Sequence, residues 1–196
     1  MKVICVTGSP GTGKTAVAKK LSLKYNLYYL DVNKIVNQYK LSSGYDRKRK
    51  TNIVDTDKLN RKLIGIIGFF KKYNHIGNAV MSKARGTIPF KKGNIKQKYK
   101  GIIIDSHLSH YMPKKYVNLV VVAKCGIGEL NKRLKKRKYS RAKIRENLQA
   151  EIFDVCHNEA VMKKHKILAI GTTKGFNINN VKYENKNRLW NYICNS

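Results

Sequence analysis

The chain has 196 residues and a mass of 22.5 kDa, and 42% of its residues are hydrophobic, which suffices to fill the core of a single domain. Lysine and arginine together number 42 against 11 aspartates and glutamates, so the formal net charge is +31. The excess of lysine and arginine excludes a neutral or acidic protein surface. It leaves two interpretations: contact with a polyanion, RNA above all, or a lysine-rich composition that serves no partner.

The N-terminal residues and the cysteines indicate a cytoplasmic protein. Residues 1–8 carry one lysine and a short β-branched run that leads directly into glycine, without the longer apolar region of a signal peptide. No other stretch approaches the length that spans a membrane, so we expect no membrane contact. The cysteines lie far apart without a C-x-x-C pair, unlike those of a zinc site or a disulfide framework. They are Cys5, Cys125, Cys156 and Cys194.

The first third of the chain predicts a strand, a phosphate loop and a helix. Lys2–Thr7 has the pattern of a buried strand, and a helix from Lys14 to about Tyr25 follows the glycine-rich turn after it. Residues 28–30 predict a short second strand. Asp31 can then cap a helix that runs towards Tyr39.

The central stretch gives weaker signals. Residues 42–46 are rich in turn formers, and residues 53–57 are typical of a short extended piece that enters a helix. The basic run Arg47–Lys50 lies between them. Residues 64–100 mix an apolar run with scattered glycine and many lysines, and no clean period emerges. We interpret residues 64–100 as an insertion of unassigned role.

The second half of the chain predicts the rest of a parallel sheet. Residues 101–105 and 117–123 are continuous apolar runs, typical of strands that are covered on both faces. Further helices are expected over residues 129–137, from 141 to about 164, and over 189–193, and a fifth strand at 167–170. The alternation of strands with helices predicts an α/β three-layer fold with right-handed crossovers.

The segment Gly8–Thr15 matches the phosphate-binding pattern G-x-x-x-x-G-K-[ST]. It lies between a predicted strand and a predicted helix, the context in which this pattern forms a site. Its glycines let backbone N–H groups point at phosphates, and the helix N-terminus adds the positive end of its dipole. Lys14 can reach the β- and γ-phosphates, and Thr15 can ligate Mg²⁺. The motif therefore predicts a nucleoside triphosphate site, or P-loop.

A second candidate cluster follows the third core strand. Asp105 ends this strand beside the P-loop, where an aspartate can hold the shell of Mg²⁺ through water. His107 can position a water molecule or move a proton near the phosphates, or it can be a structural hydrogen bonder. His110 allows the same two interpretations.

Arg137 ends a predicted helix just before a break at residues 138–140, in a region that could close over the nucleotide. Its guanidinium group could then reach the transferring phosphoryl group. The alternative is a solvated charged face. Most of the neighbouring cations must belong to such a face: Lys132, Arg133, Lys135, Lys136, Arg141, Lys143 and Arg145.

Several segments, in their order along the chain, carry a family resemblance. They are Gly8–Thr15, Gly44-Tyr45-Asp46, Ile53–Asp57, Ile104-Asp105-Ser106-His107, Leu134–Tyr139 and Glu146–Phe153. Their order and spacing cover nearly the whole chain outside residues 64–100. The chain resembles the atypical adenylate kinases that are small-subunit ribosome assembly factors, known in eukaryotes as coilin-interacting nuclear ATPase, and in particular an archaeal-like branch.

This resemblance implies a P-loop NTPase of the nucleoside-monophosphate-kinase type, with a five-stranded parallel sheet in one domain over residues 1–196. It implies a monophosphate-binding segment at about 31–54 and a lid at about 136–146. It also implies that Asp105 is the magnesium-side aspartate and that His107 is the histidine tied to catalysis. The implied ATP contacts are Gly11, Gly13, Lys14, Thr15, Ala16, Arg137 and, in the loop after the last strand, Lys174.

The resemblance further implies reversible phosphoryl transfer from ATP to AMP with Mg²⁺, slower ATP hydrolysis, and a role in late maturation of the small ribosomal subunit through a ribosomal protein partner. Alternatively, ATP switches an assembly factor on RNA and a ribosomal protein, with incidental kinase activity. A kinase of another small acceptor is a third possibility. Two places depart from the family: Arg47–Lys50 stands where acidic residues are usual, and Arg137-Lys138-Tyr139 replaces Arg-Gly-Tyr.

Overall fold

A five-stranded parallel sheet forms the centre of this computed structural model, which describes residues 1–47, 51–73 and 99–177. The elements are β1 (Lys2–Thr7), α1 (Lys14–Tyr25), β2 (Leu27–Asp31), α2 (Val32–Gln38), β3 (Ser42–Asp46), β4 (Thr51–Val54), α3 (Thr56–Tyr73), β5 (Gly101–Asp105), β6 (Leu119–Lys124), α4 (Ile127–Lys136), α5 (Arg141–Ile152), α6 (Val155–Met162) and β7 (Ile167–Gly171). Short 3₁₀ turns at Ser109–Tyr111 and Lys114–Tyr116 connect β5 to β6.

The strand order is β2-β5-β1-β6-β7, and all neighbours are parallel. The central strand β1 runs directly into the P-loop, because its residue Thr7 precedes Gly8. Ligands of such sheets bind at the carboxyl ends of the strands, where the strand order reverses. The predicted five-stranded α/β fold is confirmed, and its central crevice lies at the P-loop.

Both faces of the sheet are buried, which explains the uninterrupted apolar runs of β5 and β6. Alternate side chains point to opposite faces. One face packs against α2, α3 and α6, and the other against α1. Helices on both sides of a parallel sheet complete the predicted three layers.

Residues 64–73, the first part of the segment interpreted as an insertion, belong to helix α3, so the insertion does not begin at residue 64. Residues 64–73 continue α3, whose buried side chains recur at helical spacing. These side chains are Leu59, Leu63, Ile66, Ile67 and Phe70. The sequence obscured this period because Gly65 and Gly68, which weaken a helix, interrupt it. Residues 74–98 of the proposed insertion lie outside the described residues.

Two further boundaries differ from the expectation. Residues 42–46, predicted as a turn, form strand β3 of an antiparallel hairpin with β4. The single helix expected from residue 141 to about 164 is two helices, because Asp154 between α5 and α6 adopts a left-handed backbone conformation with φ 53°. A residue in that conformation cannot continue a right-handed helix.

Three predicted features are not tested by the fold. Lys48–Lys50 of the basic run and the helix expected at 189–193 lie outside the described residues, as does Cys194. Within the described ranges, no helix combines the length and the apolar character needed to cross a membrane.

Candidate nucleotide site

The P-loop has the backbone geometry that an anion site requires. Gly13 has φ 86° at the start of α1, and Gly11 has φ 94°, in the left-handed region that favours glycine. A side chain at Gly11 would also collide with Leu130 of α4, whose Cδ1 lies 2.8 Å from the position of a Cβ. The loop can therefore present backbone N–H groups at the start of α1, where the helix dipole favours a phosphate.

The P-loop is braced by the residue that follows β7. The hydroxyl of Thr172 donates to the backbone oxygen of Thr12 at 2.5 Å. Within the loop, Thr12 Oγ1 donates to the backbone oxygen of Ser9 at 2.8 Å. Thr172 is buried, so these bonds are shielded from water. The edge strand of the sheet thereby holds the loop in place.

Arg133, expected among the solvated cations, has a specific position in the structure. Its guanidinium group donates to the backbone oxygen of Thr172 at 2.8 Å and to Glu129 Oε1 at 2.9 Å. Arg133 therefore ties α4 to the loop that contains Thr173 and Lys174. The spacing Glu129-x-x-x-Arg133 on a helix was the available sequence signal, but it indicates only an ion pair.

Asp105 lies beside the P-loop, because Val6 of β1 pairs with Asp105 of β5. The carboxylate is 4% exposed. Its Oδ2 accepts a hydrogen bond from the hydroxyl of Tyr29 at 2.7 Å, whereas Oδ1 has no hydrogen-bond partner within the described ranges. A buried carboxylate oxygen without a partner is costly unless a ligand or water completes it.

Lys14 lies close enough to Asp105 for their charges to interact. Burial lowers the pKa of the Lys14 ammonium, and the negative charge of Asp105 opposes this shift. The positive charge of Arg137 adds to the lowering. Lys14 is therefore within electrostatic range of both Asp105 and Arg137, although the three residues come from α1, β5 and the end of α4.

His107 follows Asp105 by two residues and is exposed. Partial desolvation by the surrounding protein, together with the positive charge of Lys14 and the neighbouring His110, lowers the pKa of His107 to about 4. The imidazole is therefore neutral at physiological pH and can accept a proton or a hydrogen bond. This state suits a group that handles the hydrogen of an attacking water or hydroxyl.

His110 is a buried hydrogen bonder and does not share the open position of His107. Its ring is 1% exposed, and its Nδ1 lies 2.7 Å from Thr7 Oγ1. Its Nε2 lies 2.8 Å from Glu159 Oε2 on α6. The structural interpretation of His110 is therefore the one that the geometry favours.

The remaining candidate ATP contacts are open to a ligand. Thr15 and Ala16 are exposed in the first turn of α1, and Arg137 is exposed where α4 ends. Lys174 is exposed in the loop after β7. The fold thus places all the candidate residues along the carboxyl edge of the sheet.

The described residues fit a magnesium nucleotide. Anionic oxygen and hydroxyl ligands are those that Mg²⁺ prefers, and Asp105 Oδ1 and the Thr15 hydroxyl are both available. Backbone N–H groups at Gly11 and Gly13 are available for phosphate.

The P-loop after the central strand of this parallel sheet, with Asp105 on the neighbouring strand, defines the class as a P-loop kinase fold. A family described as AAA domain matches residues 4–154. A protein of Methanosarcina mazei named "Putative adenylate kinase" is 34% identical over 87% of this chain and 79% of its own. The adenylate kinase isoenzyme 6 homolog of Caenorhabditis elegans is 30% identical over 80% of this chain and 71% of its own.

The chain therefore belongs to the AAA-domain family and, within it, to the atypical adenylate kinases related to isoenzyme 6. The isoenzyme 6 homolog FAP7 of Saccharomyces cerevisiae is 32% identical over 81% of this chain and 66% of its own. Among solved structures, shikimate kinase from Acinetobacter baumannii is similar over 89% of this chain and 86% of its own, at 17% identity and a TM-score of 0.44. The relatives support a nucleotide kinase, that is, a phosphotransferase.

Proposed function

We propose that this protein transfers the γ-phosphoryl group of ATP to a nucleoside monophosphate, AMP in the first place, and forms two ADP. The observation that carries the proposal is the position of Lys14 in the P-loop beside the strand end that holds Asp105, with His107 two residues further along. The acceptor is taken from the names of its relatives. Slower ATP hydrolysis occurs when water replaces AMP.

In this reaction the chain mainly positions groups and stabilises charge. The P-loop backbone and Lys14 hold the β- and γ-phosphates, and Arg137 reaches the transferring group when the lid at residues 136–146 closes. Gly11, Gly13, Thr15, Ala16 and Lys174 complete the ATP contacts. Thr15 and, through water, Asp105 hold Mg²⁺, which neutralises phosphate charge when bound.

His107 acts on the acceptor side of the transferred group. Its neutral imidazole donates its N–H to the attacking phosphate oxygen of AMP, or accepts a hydrogen bond from an attacking water, and keeps that group in line. A monophosphate acceptor already carries an oxygen nucleophile, so orientation is the main contribution of His107 to the kinase reaction. For water the same histidine can also take a proton.

A panel of nucleoside monophosphates with ATP and Mg²⁺ tests the proposal. AMP-dependent formation of ADP is the expected result, read by separation of products. If no monophosphate accepts phosphate while ATP is still hydrolysed, the kinase assignment fails and an ATPase remains.

The charge of +31 favours a second candidate function. In this alternative the protein is a cytoplasmic assembly factor for the small ribosomal subunit, which contacts ribosomal RNA and a small-subunit ribosomal protein. ATP binding and hydrolysis switch it between states, and kinase turnover is incidental. ATP hydrolysis that ribosomal RNA or protein stimulates without AMP would support this alternative.

A further inference from the structure

A partly buried line of close polar contacts runs behind the P-loop from α6 to the end of β1. Glu159 Oε2 lies 2.8 Å from His110 Nε2, and His110 Nδ1 lies 2.7 Å from Thr7 Oγ1. Thr7 Oγ1 also lies 3.3 Å from the backbone oxygen of His107. Since Thr7 directly precedes Gly8, the line joins α6, the turn that carries His107, and the start of the P-loop.

Glu159 decides which nitrogen of His110 carries the hydrogen. Its Oε1 accepts a hydrogen bond from the hydroxyl of Tyr111 at 2.7 Å, and its Oε2 faces His110 Nε2. An ionised carboxylate can only accept, so both neighbours must donate. Nε2 therefore carries the hydrogen, and Nδ1 of the neutral ring accepts the hydroxyl hydrogen of Thr7.

The surroundings of His110 favour this neutral state. Burial lowers the pKa of His110, and the positive charges of His165 and Lys163 lower it further, against the opposing effect of Glu159. Burial raises the pKa of the nearby Cys156 thiol to about 11, so it stays uncharged. The only full charge in direct hydrogen-bonding contact with the ring, among the described residues, is the carboxylate of Glu159.

The tautomer of His110 determines where the Thr7 hydroxyl points. Thr7 has one hydroxyl hydrogen, and the 2.7 Å contact to Nδ1 is short enough to contain it, whereas the contact to His107 is long. With the hydrogen on Nδ1 instead, Thr7 Oγ1 would accept from His110 and donate to the backbone of His107. That bond would draw His107 towards β1, to about 2.8 Å.

We propose that Glu159 and His110 are positioning residues that direct the Thr7 hydroxyl away from the backbone of His107 and so hold His107 at its working distance from the P-loop. The inference rests on the proposed function, because His107 is the residue assigned to orient the attacking group. Neither Glu159 nor His110 contacts the nucleotide in this arrangement.

Glu159→Gln tests the inference with little change of size. If the Gln oxygen keeps accepting from Tyr111, its NH₂ group faces His110 Nε2 and donates to it, so the ring hydrogen moves to Nδ1. Nitrogen-15 NMR of histidines in the full-length protein should then show the His110 tautomer reversed. We expect kcat to fall about fivefold, the equivalent of one hydrogen bond of about 1 kcal/mol, and ATP affinity to change by less than about twofold.

Tyr111→Phe is the matched control, because it removes the other bond to the same carboxylate. The aromatic contact with the His110 ring, at 4.4 Å between ring centroids, is retained. The His110 tautomer and kcat should both match those of the unchanged protein. Thr7→Val removes the hydroxyl that could bond to His107, so it should leave kcat near that of the unchanged protein. Combined with Glu159→Gln, it should restore kcat.

A lowered kcat with an unchanged His110 tautomer in folded Glu159→Gln protein overturns the proposal, as does a reversed tautomer with full kcat. Equal losses of kcat in Tyr111→Phe and Glu159→Gln also overturn it, because the carboxylate would then act by holding Tyr111. If Glu159→Gln does not fold or changes neither the tautomer nor kcat, Thr7→Val decides: a loss of kcat there contradicts the proposal, because no hydroxyl is left to draw in His107. If the unchanged protein has no kinase turnover, the proposed function fails, and the backbone chemical shift of His107 in Glu159→Gln decides the positioning separately.

Discussion

The ATP side of the crevice and the monophosphate side are built differently. The ATP side is braced from several directions: Thr172 holds the P-loop, Arg133 holds the loop after β7, and Asp105 is buried beside Lys14. The proposed monophosphate segment, about 31–54, instead contains the β3–β4 hairpin, in which residues 42–45 are exposed. Tyr45 is 57% exposed and Ile53 is 52% exposed.

This difference indicates which side of the crevice sets the affinity for ATP and which side can change its position. Buried hydrogen bonds that fix a loop before the ligand arrives lower the cost of ordering it on binding. A two-stranded hairpin with exposed faces is marginally stable by itself and can change position with little loss of packing. We therefore expect nucleotide chemistry to depend on the braced side, and the choice of acceptor or partner to depend on the hairpin side.

Lys14→Ala should have the largest effect on the braced side. Loss of the ammonium should lower both phosphoryl transfer and hydrolysis by about 10³-fold, because this charge stabilises the phosphates during transfer. The fold should remain, since the loop is held by its backbone and by Thr172. Product formation and circular dichroism measure the two outcomes. Activity within tenfold of normal in a folded variant would contradict the site assignment.

His107→Ala should lower kcat by about 10²-fold and leave ATP affinity nearly unchanged, because orientation of the attacking group matters mainly in the transition state. The pKa of His107 is lowered to about 4, so its neutral form persists as pH falls from 7 to 5. The pH profile of kcat should therefore show no loss around pH 6.5, and a loss only near pH 4. A loss centred on pH 6.5, or equal losses of affinity and kcat, would indicate another role.

A pair of isoleucines compares the packing of the two regions. Ile66 of α3 is buried in the core, so Ile66→Ala should lower the free energy of unfolding by about 3 kcal/mol. Ile53→Ala in the hairpin should change it by less than about 0.5 kcal/mol. Chemical denaturation of both variants measures the difference. A similar cost for both would mean that the hairpin is packed as firmly as the core.

The smallest effect on catalysis is expected from the basic run Arg47–Lys50, which lies between β3 and β4 in the sequence. Replacement of Arg47–Lys50 by glutamine should flatten the dependence of RNA binding on salt, by about 0.7 in logarithmic slope for each lost phosphate contact on a single strand. ATP hydrolysis should change little.

The same number of exposed lysines elsewhere provides the control for this replacement: Lys114, Lys115, Lys163 and Lys164. If Arg47–Lys50 contacts the RNA, neutralising these four lysines should change the salt dependence of RNA binding less than replacing the basic run does. Collapse of AMP-dependent turnover with unchanged RNA binding would instead assign the run to the acceptor site, where cations can clamp a phosphate. If the protein does not bind RNA even at low salt, its net positive charge does not serve RNA binding.

Much of the ATP side could be predicted because its signals are local. The P-loop pattern needs only neighbouring residues to form an anion site, and β5 and β6 are apolar throughout because both faces of the sheet are covered. Helix α3 was missed over residues 64–73, because glycine and lysine interrupt its apolar period and only packing against the sheet makes the helix stable.

By itself, the sequence determined the P-loop, the parallel sheet and the strand end that carries Asp105, since each follows from short-range pattern and backbone chemistry. The tertiary structure alone decided the roles of side chains whose partners are distant along the chain. Arg133 stabilises the loop after β7 because it donates to the backbone of Thr172, and the buried His110 connects Thr7 with Glu159. A hydrogen bond depends on where two groups meet in space, and no local pattern specifies that meeting.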